Sequence, residues 1–194
     1  MANSKRWNLF RNNKRGFSLI ELMVTVGVVG ILSAVIVPVT TASLPNYRLK
    51  GAARDVYSLM QKARLLAVKR DINARVVFND AVSPGSYRLE LNGNGVVDLP
   101  EEYQVDLATY GSGVDFGLPP GAPVNWGGNP INNAVGYAAK MCSFQSNGLV
   151  GGGTVYLINN QARIFYAITT VNSGGIKIRK YNGMQPFHRK NWFE

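Results

Sequence analysis

Phe17 to Val37 reads FSLIELMVTVGVVGILSAVIV, 21 residues with one charge, Glu21. As a helix rising about 1.5 Å per residue this run is roughly 30 Å long, the thickness of a bilayer's hydrocarbon core. Lys5, Arg6, Arg11, Lys14 and Arg15 precede it without an acid among them. Such a leader stays on the cytoplasmic side by the positive-inside rule. A single-pass anchor is one reading. A secretory signal is the other, and it fits less well, because the run exceeds a usual signal core and no small-x-small cleavage site follows. Neither explains Glu21. A carboxylate within a membrane helix costs about 2.5 kcal/mol or more and is by default functional. It needs a cation, and the helix offers no Lys or Arg nearby.

Lys14-Arg15-Gly16-Phe17-Ser18-Leu19-Ile20-Glu21-Leu22-Met23 resembles the processing site of type IV prepilins and type II secretion pseudopilins. The likeness continues to Gly30 and Pro38, which stand where that family's helix loosens. The resemblance implies cleavage between Gly16 and Phe17 by a membrane aspartyl peptidase, on the cytoplasmic side, and N-methylation of Phe17 by the same enzyme. It implies that the apolar helix is first an inner-membrane anchor, with the head periplasmic, and then passes into the core of a pilus or pseudopilus. There Glu21 would pair with the Phe17 amino group of a neighbouring subunit and set its register. In a medium of low dielectric that pair supplies the missing cation.

Pro38 has no amide proton and predicts a kink or break, and Pro45 a second break or loosened turn. The helical period then resumes. Leu49, Ala52, Ala53, Val56, Leu59, Met60, Ala63, Leu66 and Ala67 recur at spacings of three and four, a stripe for core packing. The helix should end near Arg70–Asn73, so that Phe17 to Arg70 is 54 residues. From Ala74 the period becomes two, and 75–78, 87–91, 104–110, 114–116, 141–145, 153–158, 162–169 and 176–181 read as strands. Residues 83–86 read as a turn and 117–136, rich in Gly, Pro and Asn, as a long loop. The expected architecture is α+β: a long N-terminal helix packed on an antiparallel sheet. Its parts are the leader 1–16, the membrane or filament-core helix 17–38, its amphipathic continuation 39–73 and a β-rich head 74–194 with a basic tail.

Phe144-Gln145-Ser146-Asn147-Gly148, Gly153 to Leu157, Arg163 to Thr169 and Gly174 to Arg179 resemble the FimT/GspH class of minor pilins and pseudopilins. That class implies a subunit that caps or primes a filament. A pseudopilin of a secretion machine is the alternative, and a DNA-binding pilus tip a further one. The implied partners are the prepilin peptidase, other pilins or pseudopilins and the inner membrane, with DNA a candidate and no small-molecule substrate.

Composition narrows the chemistry. The chain of 194 residues holds one Cys and one His and carries a formal charge of +10. One Cys cannot form an internal disulfide, and one Cys with one His cannot complete a zinc site. A Ser-His-Asp or Cys-His enzyme would have to use His188, which lies in the basic tail. The expectation is that the chain is no enzyme and needs no cofactor, calcium aside. Cys142 reads as a small buried residue.

The excess charge lies in the leader, in residues 48–71, which hold seven Lys/Arg against Asp55 and Asp71, and in the tail. Two segments are candidate sites. Glu90 to Glu101, ELNGNGVVDLPE, follows the calcium-loop pattern D-x-[DN]-x-[DN]-G-x5-E, with Glu90, Asn92, Asn94, Gly95, Asp98 and Glu101 in register. Glu replaces the first Asp, Pro100 precedes Glu101, and a strand rather than a helix leads in. An Asn-Gly hairpin loop that binds nothing is the alternative. The second segment is Lys177, Arg179 and Lys180, then Arg189 and Lys190, with Tyr181, Phe187 and Trp192 interleaved. Bases with aromatics can hold nucleic acid by phosphate contact and stacking. Some FimT-like pilins bind DNA through Gly-Arg-x-Arg near this strand. Here the stretch is Gly174-Gly175-Ile176-Lys177, with Gly175 where the first Arg would stand. A solvated strand edge guarded by Lys is the other reading.

Overall fold

The computed structural model describes residues 16–121, 123–183 and 187–194. They fall into two compact units, one ending at Thr41 and one beginning at Ala42. Helix α1 is Leu19–Arg70. The strands are β1 (Ala74–Asn79), β2 (Ser86–Glu90), β3 (Tyr103–Asp106), β4 (Asp115–Phe116), β5 (Met141–Phe144), β6 (Gly153–Ile158), β7 (Phe165–Thr170), β8 (Ile176–Tyr181) and β9 (Trp192–Phe193). Helix and sheets make the α+β architecture expected of a pilin-like chain.

In the first unit the apolar side chains from Phe17 to Val39 are exposed, and the helix is long and apolar enough to cross a membrane. Its hydroxyls are satisfied locally. Thr25 Oγ1 donates to the Glu21 carbonyl at 2.9 Å and Ser33 Oγ to that of Val29 at 2.7 Å. Thr40 and Thr41 do the same toward Ile36 and Val37. The helix runs unbroken through Gly30, Pro38 and Pro45, so the break expected at the prolines is absent. A proline removes a single backbone bond, and the turns on either side keep theirs.

In the second unit the predicted stripe is the buried face. Leu49, Ala52, Ala53, Val56, Leu59, Met60, Ala63 and Ala67 are all at most 1% exposed, and Leu66 packs against them. Four alanines on that face let the sheets approach the helix closely. The helix ends with Asp71 at φ 54° while the Ile72 N–H donates to the Ala67 carbonyl at 3.1 Å. That is the six-to-one bond of a Schellman cap.

The strands form two antiparallel sheets where a single one was expected. One has the order β3-β2-β1-β5 and the other β4-β6-β7-β8-β9. Their registers include Val76 opposite Leu89 and Cys142, and Ile168 opposite Val155 and Ile178. Side chains of α1 and of both sheets share one core. Strand β7 is buried along its whole length. Tyr166 and Ile168 join the core with α1, while Phe165 and Ala167 belong to a second cluster with Tyr156 and Tyr181. Leu118 and Ile131, from the long Gly/Pro/Asn-rich loop, help cover that second cluster. Residues 107–110, expected as strand, form a 3₁₀ turn, and β7 begins at Phe165 rather than 162. Strand β9 was not expected at all.

Candidate functional site

Gly16 and Phe17 precede α1, and Glu21 lies in its first turn. All three are exposed. Among the described residues no ion pair engages the Glu21 carboxylate. A Cβ added at Gly16, Gly27 or Gly30 would meet nothing within 4 Å. Glycine inside a helix costs about 0.8–1 kcal/mol relative to alanine, and this chain's own packing gives no reason for Gly27 or Gly30. The apolar helix is a surface without contents: its side chains and its one acid await an environment outside the chain.

The loop from Glu90 to Glu102 is organised by a residue that the calcium pattern omits. Glu102 is 5% exposed. Its Oε1 accepts from the Leu91 N–H at 2.6 Å, and its Oε2 from Asp98 and Leu99 at 3.0 and 3.1 Å. Burial opposes its ionisation, yet the backbone donors of Leu91, Asp98 and Leu99 outweigh burial and hold its pKa at about 2. Asn92 and Asn94 come together on Asp98, donating to its two oxygens at 2.8 and 2.7 Å. Glu90 and Glu101 do not join them. Glu90 is buried and accepts from Arg88 Nε at 2.6 Å, and Glu101 pairs with Arg70. Among the described residues no group of three or more His, Cys, Asp or Glu is placed to hold a metal.

Of the basic strand residues, Lys177 and Arg179 converge on Glu194, donating to its Oε1 at 2.8 and 2.9 Å. The Arg179 guanidinium also lies 4.7 Å from the centroid of Trp126. Lys180 points into a cleft of about 560 Å³ beside α1, which Lys50 and Arg54 also line. The tail's aromatics are packed rather than free. Phe165 and Tyr181 stack at 4.8 Å, and Trp192 meets Phe165 edge-on at 5.1 Å. Phe187 lies 5.4 Å from Tyr181. The Trp192 indole N–H donates to the Val124 carbonyl at 3.1 Å. At the β7–β8 turn Gly174 has φ 89°, and a Cβ there would stand 2.4 Å from the Gly148 carbonyl. Only glycine fits that turn without strain.

Cys142 is fully buried, and burial raises its thiol to about 12 against the lowering influence of Thr170 and Tyr137. It stays protonated at neutral pH. His188 is exposed, and its backbone N–H donates to the Tyr181 hydroxyl at 3.2 Å.

The cleft on α1 and the Glu102 hub are the features that sequence reasoning missed. A signal for the cleft existed: Lys50 and Arg54 repeat at one helical turn. Their partner Lys180 is distant in sequence. The Glu102 hub carried no signal, because adjacent Glu101 and Glu102 are indistinguishable until the loop closes.

Residues 11–37 match the family model described as the prokaryotic N-terminal methylation motif. No curated protein and no solved structure matches the chain. The matched motif implies processing by a prepilin peptidase and assembly with other pilins, and with the apolar helix it is consistent with anchoring in a membrane. Motif and architecture together support a type IV pilin or pseudopilin.

Proposed function

We propose that the chain is a minor pilin of the FimT/GspH class, a structural subunit that primes or tips a type IV pilus-like filament. Before assembly it is held in the inner membrane with its leader cytoplasmic and its head periplasmic. Prepilin peptidase cuts after Gly16 and methylates Phe17. The observation that carries this reading is Glu21, an acid without a partner among the described residues on a wholly exposed apolar helix. A membrane anchor has no use for that acid, whereas a stack of such helices supplies each Glu21 with the terminal amine of a neighbour. A buried charge without its partner is strongly destabilising, by about 3–5 kcal/mol, so the pair sets register as well as affinity. The role we assign is structural rather than catalytic.

The test compares surface pili sheared from a strain lacking this chain with those of its parent. We expect pili to be lost, restored by the intact chain and not by Glu21→Ala. Normal pili without the chain, together with loss of protein export, would replace the pilus with a secretion machine. Normal filament incorporation of Glu21→Ala would remove the role given to Glu21.

A further inference from the structure

Tyr47, Lys50 and Arg54 on α1 share the cleft of about 560 Å³ with Tyr166, Lys180 and Phe193. Lys50 and Arg54 stand one helical turn apart, a spacing at which like charges repel. Lys180 adds a third cation from β8. Acids that could neutralise them are engaged elsewhere. Glu194, which lines the cleft with Arg179, is shared by Lys177 and Arg179, and Asp55 accepts from the Tyr110 hydroxyl at 2.6 Å. Among the described residues no ion pair reaches Lys50, Arg54 or Lys180. Arg54 lies near enough to Tyr166 to oppose the rise that burial gives that hydroxyl. A concave site with three uncompensated cations fits an anion.

Its place in the chain selects the source of that anion. Ser43, which opens the cleft, follows Val37, the last residue of the apolar run, by six residues. However the chain runs between them, six residues reach at most about 20 Å. With the apolar run in a bilayer, the cleft is therefore tethered near the headgroup layer. Tyr47 is 70% exposed beside the cations, and tyrosine is enriched at both membrane–water interfaces. We propose that this cleft binds the phosphate headgroup of an anionic phospholipid of the anchoring membrane. The proposal rests on the membrane-anchored pilin reading. It gives the head a docking point at the bilayer before filament entry.

The test uses the full chain in dodecyl maltoside micelles, with lipid binding read by native mass spectrometry. The probes are dioctanoyl phosphatidylglycerol, dioctanoyl phosphatidylcholine, inorganic phosphate and a single-stranded oligonucleotide. We expect phosphatidylglycerol to bind more tightly than phosphatidylcholine. Lys50→Gln, Arg54→Gln and Lys180→Gln together should weaken it by about fivefold for each charge removed, while Lys69→Gln leaves it unchanged. If the triple variant unfolds, Lys50→Gln alone carries the test, since Lys50 is exposed. Equal binding of the two lipids, or of the cleft variant and the parent chain, overturns the proposal. Inorganic phosphate bound as tightly as the lipid overturns the lipid assignment in favour of a free-anion site. An oligonucleotide that binds more tightly and loses affinity with the same substitutions overturns it in favour of nucleic acid. Pili yield does not enter, so failure here leaves the assembly role standing.

Discussion

Glu102 shows how one carboxylate can organise a loop of twelve residues, Leu91 to Glu102. Its oxygens accept from backbone groups at both ends of that loop, so the charged form stabilises the fold. Its folded pKa, about 2, lies below the ordinary 4.5. A depressed carboxylate contributes stability above its unfolded pKa and loses it as the pH falls through the folded one. The head should therefore lose stability between about pH 4.5 and pH 2. Glu102→Gln should cost about 1–3 kcal/mol at neutral pH and flatten that acid limb, both readable by chemical denaturation at several pH values. An unchanged acid limb would mean that another carboxylate sets it. The calcium register over Glu90–Glu101 was legible as a pattern, yet the pattern specifies residue types at spacings and not directions. Glu90 and Glu101 turned to Arg88 and Arg70, because a charge beside an arginine in a partly dry site is stabilised more than one in open solvent.

At the scale of elements, α1 was the most legible part. Its 3.6-residue period named the buried face almost residue for residue, because a helix fixes its neighbours by spacing alone. Pro38 was read as a kink or break and Pro45 as a second break or loosened turn, and the helix is continuous through both. A proline's cost is local, whereas continuity is decided by every bond around it. Strand β9 escaped notice for the opposite reason. A two-residue edge strand has no period, and it forms only because Trp192 finds Phe165 and Tyr181. Tyr181, Phe187 and Trp192 were read as able to stack on nucleic-acid bases; in the fold Tyr181 is core, and Phe187 and Trp192 pack against it. Trp192→Ala should therefore destabilise the head by about 2–3 kcal/mol, below the full cost of deleting a wholly buried aromatic. Thermal unfolding would register it as a lowered midpoint. A midpoint within a degree or so of the parent's would show that β9 adds little.

At the scale of the molecule, every side chain of both core clusters lies between Leu49 and Trp192. The second unit thus owns its hydrophobic core. Residues 42–194 alone should fold and unfold in a single cooperative transition, with Cys142 closed to iodoacetamide until that transition. A molten, readily alkylated product would show that the core needs the preceding helix. Among the described residues, the large apolar side chains from Phe17 to Val39 are exposed, and a chain that exposes so much apolar helix requires lipid or copies of itself. Two scales meet in that point. The fold of the head is a matter for this chain alone, while the stability of the first unit belongs to its surroundings.

By itself the sequence determined the processing signal, the apolar helix with its one acid, the buried stripe of α1 and most strand positions. Each is encoded by neighbours in the chain: a run, a period, a motif. Only the tertiary structure decided the division into two sheets, the Glu102 hub, the folded-back β9 and the meeting of Lys50, Arg54 and Lys180. Each of these depends on residues far apart in sequence, whose pairing is chosen by packing and by the satisfaction of buried polar groups, and no local pattern records that choice.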